Sequence, residues 1–90
     1  MHPQDFHPDQ FERGAKYTLD LELSAAGHDL QIPVLLARGA RPGKRLVATA
    51  GVHGDEYEGV RAIFDIYAEL DPAAMTGDFL AVPAANPPAF

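Results

Sequence analysis

The sequence predicts an α/β domain with a mixed β-sheet, and three local patterns support this fold class. Residues 16–24 alternate apolar and polar side chains, which is typical of a strand with one buried face. Residues 46–50 form a nearly continuous apolar run, and residues 56–70 repeat apolar side chains at helical spacing. A further apolar run at 78–83 completes a strand, helix, strand unit, which implies a right-handed crossover and parallel pairing.

The remaining segments follow from turn and proline signals. Residues 1–14 are polar, contain two prolines and predict an extended N-terminal arm. Residues 30–38 predict a second strand that forms an antiparallel hairpin with the first one, and Pro33 favours an edge position or a strand start. Residues 39–44 predict a turn by composition. The order is therefore strand, strand, strand, helix, strand.

One helix can cover only one face of such a sheet, so the other face is expected to be bare. Residues 15–90 are accordingly expected to be the N-terminal part of a larger α/β domain, incomplete by itself.

Composition excludes several classes of function. The net charge is −6, with 13 acidic and 7 basic residues, and the chain has no basic face for nucleic acid. Four basic residues gather in the Gly/Pro-rich turn region and are expected to be solvated: Arg38, Arg41, Lys44 and Arg45. There is no cysteine, which excludes thiolate metal sites and fits a cytoplasmic location. Neither a signal peptide nor a membrane span is predicted, and an oligomer is compatible with the sequence.

His53 and Glu56 form the most informative pattern, because they lie three residues apart where a buried strand leads into a helix. Loops after strands are the usual ligand sites of α/β sheets, and imidazole with carboxylate suits catalytic zinc. The alternative is ordinary helix-start chemistry. Asp55 would be the N-cap and Glu58 would take the third helical position. On spacing alone, the second interpretation is slightly favoured.

A wider resemblance changes this balance. Four segments resemble the N-terminal part of the succinylglutamate desuccinylase/aspartoacylase family, within the zinc metallocarboxypeptidase-like superfamily. They are residues 38–43, 46–48, 51–59 (GVHGDEYEG) and 82–90 (VPAANPPAF). The resemblance covers about residues 30–90, and the GxHGDE-type segment is its most specific element.

The resemblance implies that His53 and Glu56 are two of three ligands of one zinc ion. It implies that the third ligand, a glutamate general base and a substrate-binding arginine lie beyond Phe90. No catalytic or substrate-binding residue is therefore assigned within the chain. His2, His7 and His28 do not substitute for the missing ligand, and Arg61 is expected to be solvated.

The implied activity is hydrolysis of an N-acyl amino acid, or a related small molecule, at an amide or ester bond. We expect the full-length enzyme to be active and these 90 residues to be inactive alone. Two alternatives stay open. One is a metallocarboxypeptidase that acts on peptides, and the other is a non-catalytic interaction module that keeps part of the fold.

Overall fold

The computed structural model of the chain describes residues 1–25, 27–50 and 57–83, which form a four-stranded mixed sheet with one α-helix. The chain order confirms the predicted strand, strand, strand, helix, strand arrangement. The elements are β1 (Ala15–Ala25), β2 (His28–Arg38), β3 (Arg41–Thr49), α1 (Tyr57–Glu69) and β4 (Thr76–Val82). In this described part of the chain, no helix is long and apolar enough to cross a membrane.

β1 and β2 form the predicted antiparallel hairpin, with Ala25 opposite His28 at its tip. Gly27 adopts a positive φ of 78° in the turn, a conformation that glycine adopts without steric cost. Pro33 is tolerated within β2 because β4 pairs with that strand only over residues 35–38. At Pro33 the strand is therefore locally an edge, as the sequence predicts.

β4 lies between β2 and β3, so the sheet order is β1-β2-β4-β3. β4 is antiparallel to β2 and parallel to β3, which confirms the predicted parallel pair. β3 therefore forms an edge of the sheet. The expectation that residues 46–50 are covered on both faces is wrong, because Leu46 is 65% exposed and Val47 is 58% exposed.

The predicted turn over residues 39–44 is also too long. β3 already begins at Arg41, with a register irregularity between Arg41 and Arg45. This irregularity lies where Pro42 and Gly43 interrupt regular pairing, so the strand accommodates both residues without ending. Arg41 holds the start of the strand by donating to Thr76 Oγ1 at 2.9 Å and to the carbonyl of Ala74 at 2.8 Å.

One face of the sheet packs on α1, and we call it the helix face. Its buried residues form a single cluster with Ile63 of the helix: Leu35, Ala37, Phe79 and Ala81. Tyr67 and Leu70 pack against the margin of this cluster. The hydroxyl of Tyr67 also donates to the carbonyl of Tyr17 at 3.1 Å, so the end of α1 is tied to β1.

We call the opposite face the arm face. It was expected to be bare, and this expectation is wrong. It carries Leu36, which is fully buried, and Arg38 and Asp78, which are almost fully buried. The N-terminal arm, residues 1–14, contacts this face through the ring of Phe11, whose centroid lies 4.9 Å from that of Tyr17. Two short 3-10 helices interrupt the arm, at Pro3–Asp5 and Pro8–Gln10.

Candidate functional site

The candidate site lies at the edge of the sheet where two parallel strands end together. β3 ends at Thr49 and β4 ends at Val82, and these two residues are register partners. The amide of Ala50 donates to the carbonyl of Val82 at 3.1 Å, which extends the pairing one residue further. Because carboxyl ends of parallel strands carry the ligand-binding loops of α/β sheets, this edge is the expected position of a site.

A close contact holds the two ends of the β3–α1 connection together. A Cβ atom placed on Gly59, in the first turn of α1, would lie 3.5 Å from the Cβ of Ala50, which is an ordinary van der Waals distance. The first turn of the helix therefore lies beside the end of β3. Ala50 and the first turn of α1, the described parts on either side of residues 51–56, are therefore neighbours at the carboxyl edge.

The predicted ligands His53 and Glu56 belong to this connection, and they lie outside the described residues, as does Asp55. The Asn-Pro-Pro segment at 86–88 also lies outside them. Among the described residues, no group of three or more His, Cys, Asp or Glu side chains could hold a metal ion. The site thus rests on the placement of the two strand ends and on the donor chemistry of His53 and Glu56, which fits zinc.

Three of the other residues weighed from the sequence, His2, His7 and Arg61, are exposed. His2 and His7 are exposed on the arm. The side chain of Arg61 is 85% exposed and lies 3.8 Å from Asp65 on the same helix, consistent with its expected solvation.

An open groove of about 480 Å³ lies at the opposite ends of β3 and β4. Apolar side chains from both strands and from α1 line most of it, including Leu46, Ile66, Leu70 and Phe79. Ligand sites of α/β sheets lie at carboxyl ends of strands, whereas this groove lies at the amino ends. We therefore assign it to the open edge of β3 and not to the candidate site.

The sequence interpretation missed a group of charges around a buried carboxylate, that of Asp78. Arg38 and Arg45, expected to be solvated, both contact Asp78, with Arg38 Nε 3.4 Å and Arg45 Nη2 3.1 Å from its carboxylate. The sequence signal was Asp78 at the start of a buried strand, since a buried carboxylate needs a partner. Arg41 remains exposed, as predicted.

The described residues form an α/β domain in which the end of β3 and the start of α1 are neighbours at the carboxyl edge of a parallel strand pair. The sequence model of the succinylglutamate desuccinylase/aspartoacylase catalytic domain matches residues 42–90, more than half of the chain. A search of curated proteins finds no significant match. The chain belongs to the succinylglutamate desuccinylase/aspartoacylase family.

Solved structures support this assignment. The succinylglutamate desuccinylase/aspartoacylase of Rhodobacter sphaeroides is 32% identical, with a TM-score of 0.71, and the match covers 94% of this chain and 26% of that one. An aspartoacylase family protein of Mesorhizobium loti is 29% identical, with a TM-score of 0.75 and coverages of 94% and 28%.

The ectoine utilization protein EutE of Ruegeria pomeroyi, solved with product bound, is 32% identical, with a TM-score of 0.70 and coverages of 88% and 26%. The chain therefore spans only about a quarter of the length of these relatives.

Proposed function

We propose that the chain is the N-terminal portion of a zinc-dependent hydrolase that deacylates an N-acyl amino acid or a related small molecule. Membership of a family named for desuccinylases and aspartoacylases supports deacylation. The observation that carries the proposal is the β3–α1 connection, which contains His53 and Glu56. Its ends meet at the carboxyl edge of the parallel pair β3 and β4. A cytoplasmic location belongs to the same proposal.

His53 and Glu56 are the residues that would hold the zinc ion, through an imidazole nitrogen and a carboxylate oxygen. When bound, zinc supplies Lewis acidity toward the carbonyl of the substrate. This chain would then supply two of the ligands at the carboxyl edge of the sheet. The third ligand, the general base and the group that holds the substrate carboxylate would come from sequence beyond residue 90.

Zinc content tests the ligands directly. In the polypeptide that carries the rest of the family domain, we expect His53→Ala and Glu56→Ala each to reduce bound zinc strongly, because each removes one ligand. Even mutating a residue that only hydrogen-bonds to a metal ligand typically lowers metal affinity by about 10–100-fold. Matched controls are His7→Ala and Glu58→Ala, which change exposed residues of the same types. Unchanged zinc stoichiometry in the first pair would refute the assignment.

Turnover separates the enzyme from its alternatives. We expect the 90-residue chain with added zinc to hydrolyse N-acetyl- and N-succinyl-amino acids no faster than free zinc. It lacks an assigned general base, which typically contributes about a hundred- to ten-thousandfold. The polypeptide with the rest of the domain should be active. If the short chain shows zinc-dependent turnover that His53→Ala abolishes, the catalytic groups lie within residues 1–90.

Two other functions remain candidates. A metallocarboxypeptidase would release the C-terminal residue of peptides in a parallel assay and leave N-acyl amino acids intact. A non-catalytic interaction module is favoured by one observation, the open edge of β3 with Leu46 and Val47 exposed on its two faces. Such a module would bind no zinc and show no turnover in either polypeptide.

A further inference from the structure

Asp78 of β4 lies between two arginines of the neighbouring strands. Arg38 of β2 and Arg45 of β3 are both its register partners, so three charges cross three strands on the arm face. We call these three residues the charge ladder. The side chains of Arg38 and Asp78 are only 4% and 3% exposed. Arg45 is 34% exposed and donates to Asp78 Oδ2 from Nε at 3.2 Å and from Nη2 at 3.1 Å.

The N-terminal arm supplies the remaining partners of the charge ladder. Arg38 Nη1 donates to the carbonyl of Phe11 at 2.8 Å. The carboxylate of Asp9 accepts from Arg38 Nη2 at 3.4 Å and from Arg45 Nη2 at 3.1 Å. The ladder alone carries two positive charges and one negative, and Asp9 balances them. Arg13, about one-third exposed, approaches Asp78 at 3.6 Å and lies at the margin of the group.

The path of the arm is fixed at both ends. At Gly14 the chain turns with a φ of 82°, and the amide of Gly14 donates to the carbonyl of Arg38 at 2.8 Å. At the other end, the carbonyl of Met1 accepts a hydrogen bond from the amide of Glu22 in β1 at 2.8 Å. The arm therefore doubles back along β1, and Asp9 and Phe11 lie above the charge ladder.

We propose that the arm is a strap whose closing is coupled to the pairing of β2, β4 and β3 through Arg38. A lifted arm removes the acceptors of Arg38 Nη1 and Nη2, the carbonyl of Phe11 and the carboxylate of Asp9, so their charge-assisted hydrogen bonds are lost. A β4 strand displaced by one residue would bring Asp78 to the helix face, among the apolar core. Binding of the arm to the arm face therefore stabilises the native strand register, and the native register stabilises the bound arm. This inference does not depend on the proposed function.

Hydrogen exchange of the backbone amides tests the coupling. The first variant is Arg38→Met, and its control is Arg41→Met, an exposed arginine that contacts Thr76 and Ala74 instead of the arm. We expect Arg38→Met to accelerate exchange at the Gly14 and Glu22 amides about tenfold or more, because charged hydrogen bonds to the arm are lost. The amides shared by β2 and β4 should accelerate as well. Arg41→Met should leave the Gly14 and Glu22 amides unchanged.

A second variant tests the coupling in case Arg38→Met does not fold. Asp9→Asn weakens the strap from the arm side, and Asp5→Asn, an exposed aspartate of the same arm, is its control. Because Asp9 is 82% exposed, we expect only a two- to fivefold acceleration at the Gly14 amide. A smaller acceleration in the same direction should reach the β4 amides near Asp78. The coupling is overturned if the β2 and β4 amides do not respond to Asp9→Asn, or if Asp5→Asn has the same effect.

Discussion

Single residues show where local sequence predicts structure and where it does not. Residue type and spacing singled out His53 and Glu56, but spacing alone slightly favoured ordinary helix-start chemistry. The family resemblance indicated two zinc ligands, and that assignment stays a prediction. The partnership of Asp78 with Arg38 and Arg45 was not found, because it joins residues that are far apart in the chain. Local composition placed these arginines in a turn, and only the strand order reveals that they are paired.

Gly77 is the residue where backbone conformation and crowding coincide. Its φ is 87°, and a Cβ atom there would collide with the carbonyl oxygen of Lys44. We expect Gly77→Ala to lower the free energy of unfolding by about 2–4 kcal/mol, from left-handed strain and overpacking together. Gly27→Ala is the matched control. Its φ is 78° but no atom lies within 4 Å of the added Cβ, so it should cost about 1–2 kcal/mol. Urea denaturation measures both, and equal losses would show that crowding at Gly77 is not significant.

At the scale of elements, periodicity predicted the bounds of α1 and β1 well, but it predicted less well which elements are buried. The helix expected over 56–70 is observed as Tyr57–Glu69, and the strand expected over 16–24 is observed as Ala15–Ala25. The apolar run of β3 was expected to be buried on both faces, and it lies at an edge. An apolar run indicates that the side chains of a strand favour burial. Its position in the sheet depends on which later strand pairs with it, and that information is non-local.

The same limit applies to α1, and it gives a matched test. Ile63 is 6% exposed within the core, whereas Ile66 is 49% exposed over the open groove. We expect Ile63→Ala to lower the free energy of unfolding by about 2–4 kcal/mol, through lost burial and a cavity. Ile66→Ala should change it by less than about 1 kcal/mol, since alanine also favours helix. Thermal or urea unfolding distinguishes the two, and similar losses would mean that α1 packs in a different rotation.

At the scale of the molecule, the fold is thin. Its principal extents are 41 × 29 × 17 Å, and its radius of gyration is 13.6 Å, compared with about 12 Å for a compact chain of this length. A thin body buries less of its surface, and the apolar edge of β3 remains open. Such edges promote association between chains.

We therefore predict that the 90-residue chain associates through β3. Sedimentation at several concentrations should show species heavier than the monomer. Val47→Lys should reduce this association, because it places a charge on the exposed edge strand. Ala62→Lys adds the same charge to an exposed position of α1 and should not reduce it. A monodisperse wild-type monomer with a cooperative thermal transition would contradict the prediction.

The sheet order also sets the sequence of events during synthesis. The chain emerges from its N-terminus, so β2 and β3 are made before the strand that lies between them. Until β4 is complete, the gap between β2 and β3 is empty and two apolar strands have unpaired inner edges. β4, made after the other three described strands, is thus the one that joins them into a sheet. Each nascent chain passes through an interval in which a chaperone, or another unfinished chain, can compete with β4 for that gap.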